Sequence, residues 1–312
     1  MPPAPLPSHP LTTHLITHTD ADGLGCEVMV RSVRDAVRSR RVEVDAVGGA
    51  VIELLEELDR APAGAAEVIV TDHHLSPSAV AAADAYAERG GVFRVLDHHK
   101  TSLDLVRHSW ATVDTSRCAT LLCFEELHAP GRYRAFAGLV NDTDLGIWAD
   151  SRSSELATLS VTLPGDAFVE RFLGDPDCGA WRPEEQALIQ WENRRLREYV
   201  VACEGAVRVV ERDGLRVGVI FAEDFKNAVA RHLMEKMDLD VVAQINARTG
   251  KVGLRGNRRV DLSEIAARHG GGGHPGAAAF GLGGSEAGAL LAGVLDRFGA
   301  TLIADRGVAD RL

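Results

Sequence analysis

Short apolar runs that stop at acidic or histidine residues, with helix-length stretches between them, constrain this chain most. Leu15-Ile16-Thr17 runs into His18-Thr19-Asp20, Val68-Ile69-Val70 ends at Thr71-Asp72, and the run from Val92 to Leu96 ends at Asp97-His98-His99. A looser alternation spans residues 42–47, and helical patterns lie over about residues 25–39, 51–59 and 77–89. Strands alternating with helices predict a parallel sheet covered on both faces, because parallel strands need long crossover connections. In open sheets of this kind ligands bind beyond the carboxyl ends of the strands. The polar clusters therefore stand where a site belongs.

Further helical patterns follow over residues 116–127 and 133–140. A long charged stretch at 183–200, with Pro183 suited to a first helical turn, reads as a helix connecting two domains. Beyond it, apolar runs at 206–210 and 215–221 flank Glu211-Arg212-Asp213-Gly214, and runs at 241–246 and 251–255 flank Arg248-Thr249-Gly250. Both are hairpin signatures. Helices are expected at 226–236, 262–269 and 286–298. The chain thus reads as α/β: a loose tail at 1–11, an N-terminal parallel-sheet domain at 12–182, a linker helix at 183–204 and a smaller α+β domain at 205–312.

The net charge of −11 argues against a surface that grips long nucleic acid throughout. The five cysteines form no CxxC pair, which fits reduced thiols in a cytoplasmic protein. No apolar run reaches the roughly 18 residues of a membrane helix.

The candidate site is assembled from four clusters. His18-x-Asp20-x-Asp22 follows a strand; in extended chain its three side chains would share one face. Asp72, Asp97-His98-His99 and Asn141-Asp142-Thr143-Asp144 end other elements. Any one of them reads most simply as a cap or a solvated loop. Four in one α/β domain point to a metal centre, since carboxylates without basic neighbours repel unless a cation lies among them. A set rich in carboxylates and poor in thiolates suits Mn²⁺ or Mg²⁺ better than zinc. Two ions about 3.5–4 Å apart need a bridging carboxylate and a shared hydroxide, which then serves as the nucleophile.

Two Asp-His-His tripeptides occur, at 72–74 and 97–99. His18-x-Asp20-x-Asp22-Gly23, then Asp72, then Asp97-His98-His99-Lys100-Thr101, then Asp142, resemble the four motifs of the DHH phosphoesterases. In that pattern the second tripeptide, third in order and followed by Lys-Thr, is the name-giving one. Leu254-Arg255-Gly256, Val260-Asp261, Ile265-Ala266 and Gly270-Gly271-Gly272-Gly273-His274-Pro275-Gly276-Ala277-Ala278 resemble the DHHA1 substrate-binding domain. Ala279 stands where many members have Gly, and Gly256 where Ser is common.

The resemblance implies roles. His18, Asp20 and Asp72 would hold one metal ion; Asp22, Asp72, His98 and Asp142 the second, with Asp72 bridging. Asp97 would orient His98, and His99 would contact the scissile phosphate. Arg255 and His274 would hold the other end of the substrate, with Gly271, Gly272 and Gly273 letting backbone amides approach its phosphate. Residues 245–270 carry six Lys or Arg and two acids, a local excess of four positive charges that suits this role.

The implied activity is Mn²⁺-dependent phosphodiester hydrolysis, with Mg²⁺ the alternative. The substrates would be short oligoribonucleotides and dinucleotides, including cyclic di-AMP and its linear product, and the products nucleoside 5′-monophosphates. Competing readings are a 3′-phosphoadenosine 5′-phosphate phosphatase, a RecJ-like single-strand exonuclease and a non-catalytic nucleotide sensor. The expected partner is a small nucleotide, with a homodimer compatible and no membrane or long nucleic acid. Trp110, Trp148, Trp181 and Trp191 are core or contact residues or base-stacking faces; Trp148, close behind Asp144, is the best placed for stacking.

Overall fold

The computed structural model describes residues 12–60 and 66–283. The chain forms two compact units divided after Glu192. The first contains β1 (Thr12–Thr17), α1 (Ala21–Val33), β2 (Val37–Arg41), α2 (Val47–Leu58), β3 (Ala66–Thr71), α3 (Pro77–Glu88) and β4 (Val92–Asp97). A 3₁₀ helix (Lys100–Arg107), β5 (Ala111–Val113), α4 (Ala119–Glu126), α5 (Arg134–Asp144), α6 (Ser151–Thr162) and α7 (Gly165–Gly174) follow. The five strands are all parallel, in the order β2-β1-β3-β4-β5. The chain moves outward from β1 to β2 and then returns to β3 on the other side. The strand order therefore reverses between β1 and β3, the switch point where such sheets open a crevice.

Strand alternation divides the core. Leu15, Ile69 and Leu96 face α1, α4, α5, α6 and α7, while Ile16, Val68, Val70 and Val95 face α2 and α3. The central strand β3 is buried at all six positions. Each large aliphatic side chain sealed there contributes about 1.5–3 kcal/mol. This core fixes the strand ends that carry the site.

The edge of the sheet differs from the sequence reading. The helix expected at 25–39 runs from Ala21 to Val33, and Arg34, in extended backbone, ends it. The neighbouring strand is Val-Arg-Ser-Arg-Arg at 37–41 rather than 42–47. An edge strand with an exposed face tolerates charge and carries no apolar alternation. Val42 and Val47 are buried, but Val42 follows the strand and Val47 opens α2. Helices α6 and α7 have no counterpart among the expected elements; α6 buries only Ser153, Leu156 and Leu159.

Helix α8 (Pro183–Ala206) is a single helix that spans the division between the units. The second unit continues with β6 (Arg208–Arg212), β7 (Leu215–Phe221), α9 (Lys226–Met237), β8 (Val241–Asn246), β9 (Lys251–Gly256), α10 (Leu262–Arg268), β10 (Gly272–His274) and β11 (Ala277–Gly281). Its sheet runs β10-β11-β9-β8-β7-β6, and β7 and β8 are its parallel pair, joined through α9. Both expected hairpins form. The first turns at Asp213 (φ 52°) and Gly214 (φ 73°), a left-handed pair that matches strand twist. The tail at 1–11 and the helix expected at 286–298 lie outside the described residues.

Candidate metal centre

The site grows from three strand ends and one helix end. After β1, His18 leads into Asp20, which caps α1 by accepting hydrogen bonds from the backbone N–H groups of Asp22 and Gly23, both at 3.1 Å. The turn is tight: a Cβ at Gly23 would lie 2.2 Å from the His18 carbonyl oxygen, so only glycine fits. Helix α1 begins at Ala21, so His18, Asp20 and Asp22 are not on one extended strand as the sequence suggested. Asp22 is buried instead in the first turn, where its carboxylate accepts from the N–H groups of Ala119 (2.8 Å) and Thr120 (2.7 Å) at the start of α4.

Asp72 follows β3 in left-handed backbone (φ 57°), with its N–H donating to the Leu96 carbonyl. That conformation costs a non-glycine residue about 1–2 kcal/mol. It points a 3% exposed carboxylate into the centre.

Around Asp72 the side chains form three overlapping groups, one of them Asp72, His98 and His99. His18, Asp20 and Asp72 place donor atoms within 4.8 Å of one another, and so do Asp22, His98 and Asp144. Asp72 Oδ2 lies 3.7 Å from His18 Nδ1, in the group with Asp20, while Oδ1 lies 3.4 Å from His98 Nε2, in the group with Asp22 and Asp144. His98 Nε2 also lies 3.7 Å from Asp22 Oδ2 and 3.6 Å from Asp144 Oδ2. A carboxylate with one oxygen toward each group is oriented as a bridge.

The electrostatics call for a cation. Burial, and then Asp22, Asp20, Asp97 and Asp144, push the Asp72 carboxyl far above the ordinary carboxylate range. Burial, and then Asp22 and Asp20, push Asp144 up to about 7. Asp72 Oδ2 is buried without a hydrogen-bond partner among the described residues. An orphaned buried carboxylate oxygen among like charges is costly, and a divalent cation answers both problems. Burial holds His98 below the usual imidazole range, which favours the neutral ring that a metal ligand requires. Oxygen donors with two imidazoles fit a hard or borderline divalent ion.

No family model matches the chain. It is 27% identical over 282 residues to oligoribonuclease NrnB of Bacillus subtilis, covering 84% of this chain and 70% of that protein. Its fold is similar to the pGpG-specific phosphodiesterase PggH from Vibrio cholerae, with a TM-score of 0.55 at 12% identity, covering 93% of this chain and 99% of that one. It is also similar to exonuclease RecJ bound to manganese, with a TM-score of 0.53 at 17% identity, covering 90% and 88%. These likenesses agree with the resemblance to DHH/DHHA1 phosphoesterases carried by the motifs.

Two residues lie elsewhere than the roles implied by the resemblance would put them. The carboxylate of Asp142 accepts from Ala149 N (3.0 Å), Asp150 N (3.1 Å) and Ser153 Oγ (2.5 Å), holding the loop before α6. It is not among the gathered donor atoms; Asp144 is. The helical pattern read to residue 140 continues through Asp144. Two residues apart on a helix means about 200° of rotation, so only one of the pair can face the centre. Asp97, in turn, bonds His99 rather than His98, with Oδ1 2.8 Å from His99 Nδ1. That hydrogen bond, working against burial, raises the imidazole of this half-exposed ring.

The histidines of the first tripeptide lie apart from the gathered donor atoms. His73 is buried edge-on against His18, with ring centroids 5.3 Å apart, and His74 Nδ1 lies 3.3 Å from Ser102 Oγ. Neither belongs to a gathered donor group among the described residues.

In the second unit the glycine-rich segment is an edge strand rather than a loose loop. Ala277 is in register with His274 on one side and with Arg255 on the other. Residues aligned across strands share a face, so Arg255 and His274 flank a small alanine on one surface. Arg255 Nε donates to Asn227 Oδ1 at 2.9 Å. A Cβ at Gly271 would lie 2.1 Å from the Ala279 carbonyl oxygen, and one at Gly273 2.5 Å from that of Ala277. These two glycines are required by strand approach, while Gly272 is open.

Proposed function

We propose that this phosphoesterase hydrolyses short oligoribonucleotides and dinucleotides to nucleoside 5′-monophosphates at a centre for two Mn²⁺ ions. The single observation that carries the reading is Asp72, whose two carboxylate oxygens face two separate donor groups. His18, Asp20 and Asp72 would hold one ion; Asp22, Asp72, His98 and Asp144 would hold the other. Bound there, such ions activate water and offset charge on the attacked phosphate. Asp97 holds His99 through Nδ1, and its Nε2 would donate to a phosphate oxygen of the scissile ester. On the second unit Arg255 and His274 would contact a phosphate of the nucleotide; among the described residues the Arg255 guanidinium donates to Asn227 Oδ1 and the Leu254 carbonyl and to no carboxylate. The names of NrnB and the pGpG phosphodiesterase support short ribonucleotide substrates.

A panel with Mn²⁺ tests this: linear and cyclic di-AMP, oligoribonucleotides of increasing length and 3′-phosphoadenosine 5′-phosphate. Dinucleotides and the shortest oligomers are expected to turn over fastest, with 5′-monophosphates as products. Preference for long single strands, or release of inorganic phosphate alone, would contradict the reading.

Arg255 gives a second test. Binding energy from a remote phosphate assists the chemistry only in substrates that have one. Arg255→Ala is expected to lose about 10- to 1000-fold in kcat/KM on dinucleotides, about 1.4–4 kcal/mol. Bis-p-nitrophenyl phosphate lacks the remote phosphate, and its hydrolysis should fall far less. Equal losses on the two substrates would assign Arg255 to the fold instead.

A further inference from the structure

The loop that follows Asp144 holds an aromatic ring in a conformation the ring itself disfavours. Trp148 has φ 55° and Gly146 has φ 66°, so two left-handed residues stand within three positions. For a bulky residue with no polar group near its own backbone, that conformation is strained. The strain is held in place by Asp142. Its carbonyl accepts from Ile147 N (2.9 Å) and Trp148 N (3.3 Å), and its carboxylate accepts from Ala149 N, Asp150 N and Ser153 Oγ. Five hydrogen bonds to one residue fix the loop.

What the loop presents is apolar and open. Trp148 is 49% exposed and Ile147 55%, and among the described residues no ring stacks on the indole. The indole folds back over the loop, with Nε1 3.8 Å from where a Cβ on Gly146 would stand. Gly146 is two residues from Asp144, so their Cα atoms are at most about 7 Å apart. Asp144 Oδ2 in turn lies 3.6 Å from His98 Nε2. An exposed indole thus stands on the short loop that leaves the helix end supplying Asp144.

We propose that Trp148 is the base-stacking platform of this enzyme: the nucleobase of a nucleotide at the scissile phosphate lies on the indole. This rests on the proposed action on short nucleotides and names the group that selects for a base. Stacking requires only a π-face, so the platform accepts any base and favours the larger purines. Asp142 is the positioning residue that aims it.

The test compares each intact dinucleotide with analogues abasic at one or the other position, using the full chain with Mn²⁺. In the parent, kcat/KM should exceed that of one abasic analogue by about 5- to 150-fold, the range of one base–aromatic stack. Trp148→Asn removes the ring with a residue that accepts left-handed backbone, and should collapse that ratio to near unity, mainly through KM. Trp148→Phe keeps a ring and should retain most of it. A ratio that survives Trp148→Asn, or a parent that does not distinguish intact from abasic substrate, overturns the platform while leaving the hydrolytic reading standing. Failure of the parent to cleave the intact dinucleotide overturns both.

Discussion

Asp72→Ala is expected to lose at least about a thousandfold in turnover, roughly 4 kcal/mol of transition-state stabilisation. Asp72 faces both donor groups, so its loss disables both rather than weakening one. His98→Ala should fall by a similar factor, because its Nε2 is the point where Asp22, Asp72 and Asp144 converge. His74→Ala is expected to lose less than about tenfold, the scale of an indirect effect; its ring lies by Ser102, outside the gathered donor groups. Steady-state rates on one dinucleotide, with melting curves to confirm folding, check all three. A severe loss in His74→Ala beside a mild one in His98→Ala would mean that the wrong Asp-His-His tripeptide had been placed at the centre.

Chelation is the second large effect. Activity should vanish with a strong chelator and return with Mn²⁺ but poorly with Ca²⁺, whose longer and looser coordination activates water less. Stability should change with it. The Asp144 carboxyl titrates at about 7 in the fold against 3.8 for the free group, so the folded state binds more protons between those values. The Asp144 contribution to metal-free stability therefore falls as pH rises from about 4 to about 7: its penalty is absent below that window and complete above it. Asp72 shifts in the same direction. Mn²⁺ should remove the penalty and raise Tm. Asp72→Asn, neutral and tolerant of left-handed backbone, should melt a few degrees above the parent without metal, the scale of about 1 kcal/mol in a domain of this size. It should also gain less from Mn²⁺. Thermal scans across that pH range with and without metal check this; a gain from Mn²⁺ that does not grow toward neutral pH would contradict it.

The sequence made the sheet legible where burial is two-sided. Runs such as Val68-Ile69-Val70 admit little but a central strand, and the polar residue that ends each run falls at the crevice because the strands are parallel. The edge was not legible, because Val-Arg-Ser-Arg-Arg at 37–41 pairs through its backbone and spends no apolar side chains. The site was legible as a set of motifs and less so as geometry. Asp142 and Asp144 look equivalent in a string, and only the phase of α5 separates them. The same holds for Asp97, whose neighbours His98 and His99 compete for it until the backbone after β4 sets their directions. Trp148 was visible as a tryptophan near an acid, but its exposure and its left-handed backbone belong to the loop that Asp142 ties down.

The central claim is that one buried carboxylate joins two cation sites. Manganese bound per chain, measured by metal analysis after gel filtration alongside electron paramagnetic resonance, tests it most directly. Two ions per chain with an exchange-coupled signal are expected in the active parent, and at most one uncoupled ion in Asp72→Asn. A fully active parent holding a single ion, or an Asp72→Asn protein that still holds a coupled pair, would contradict it.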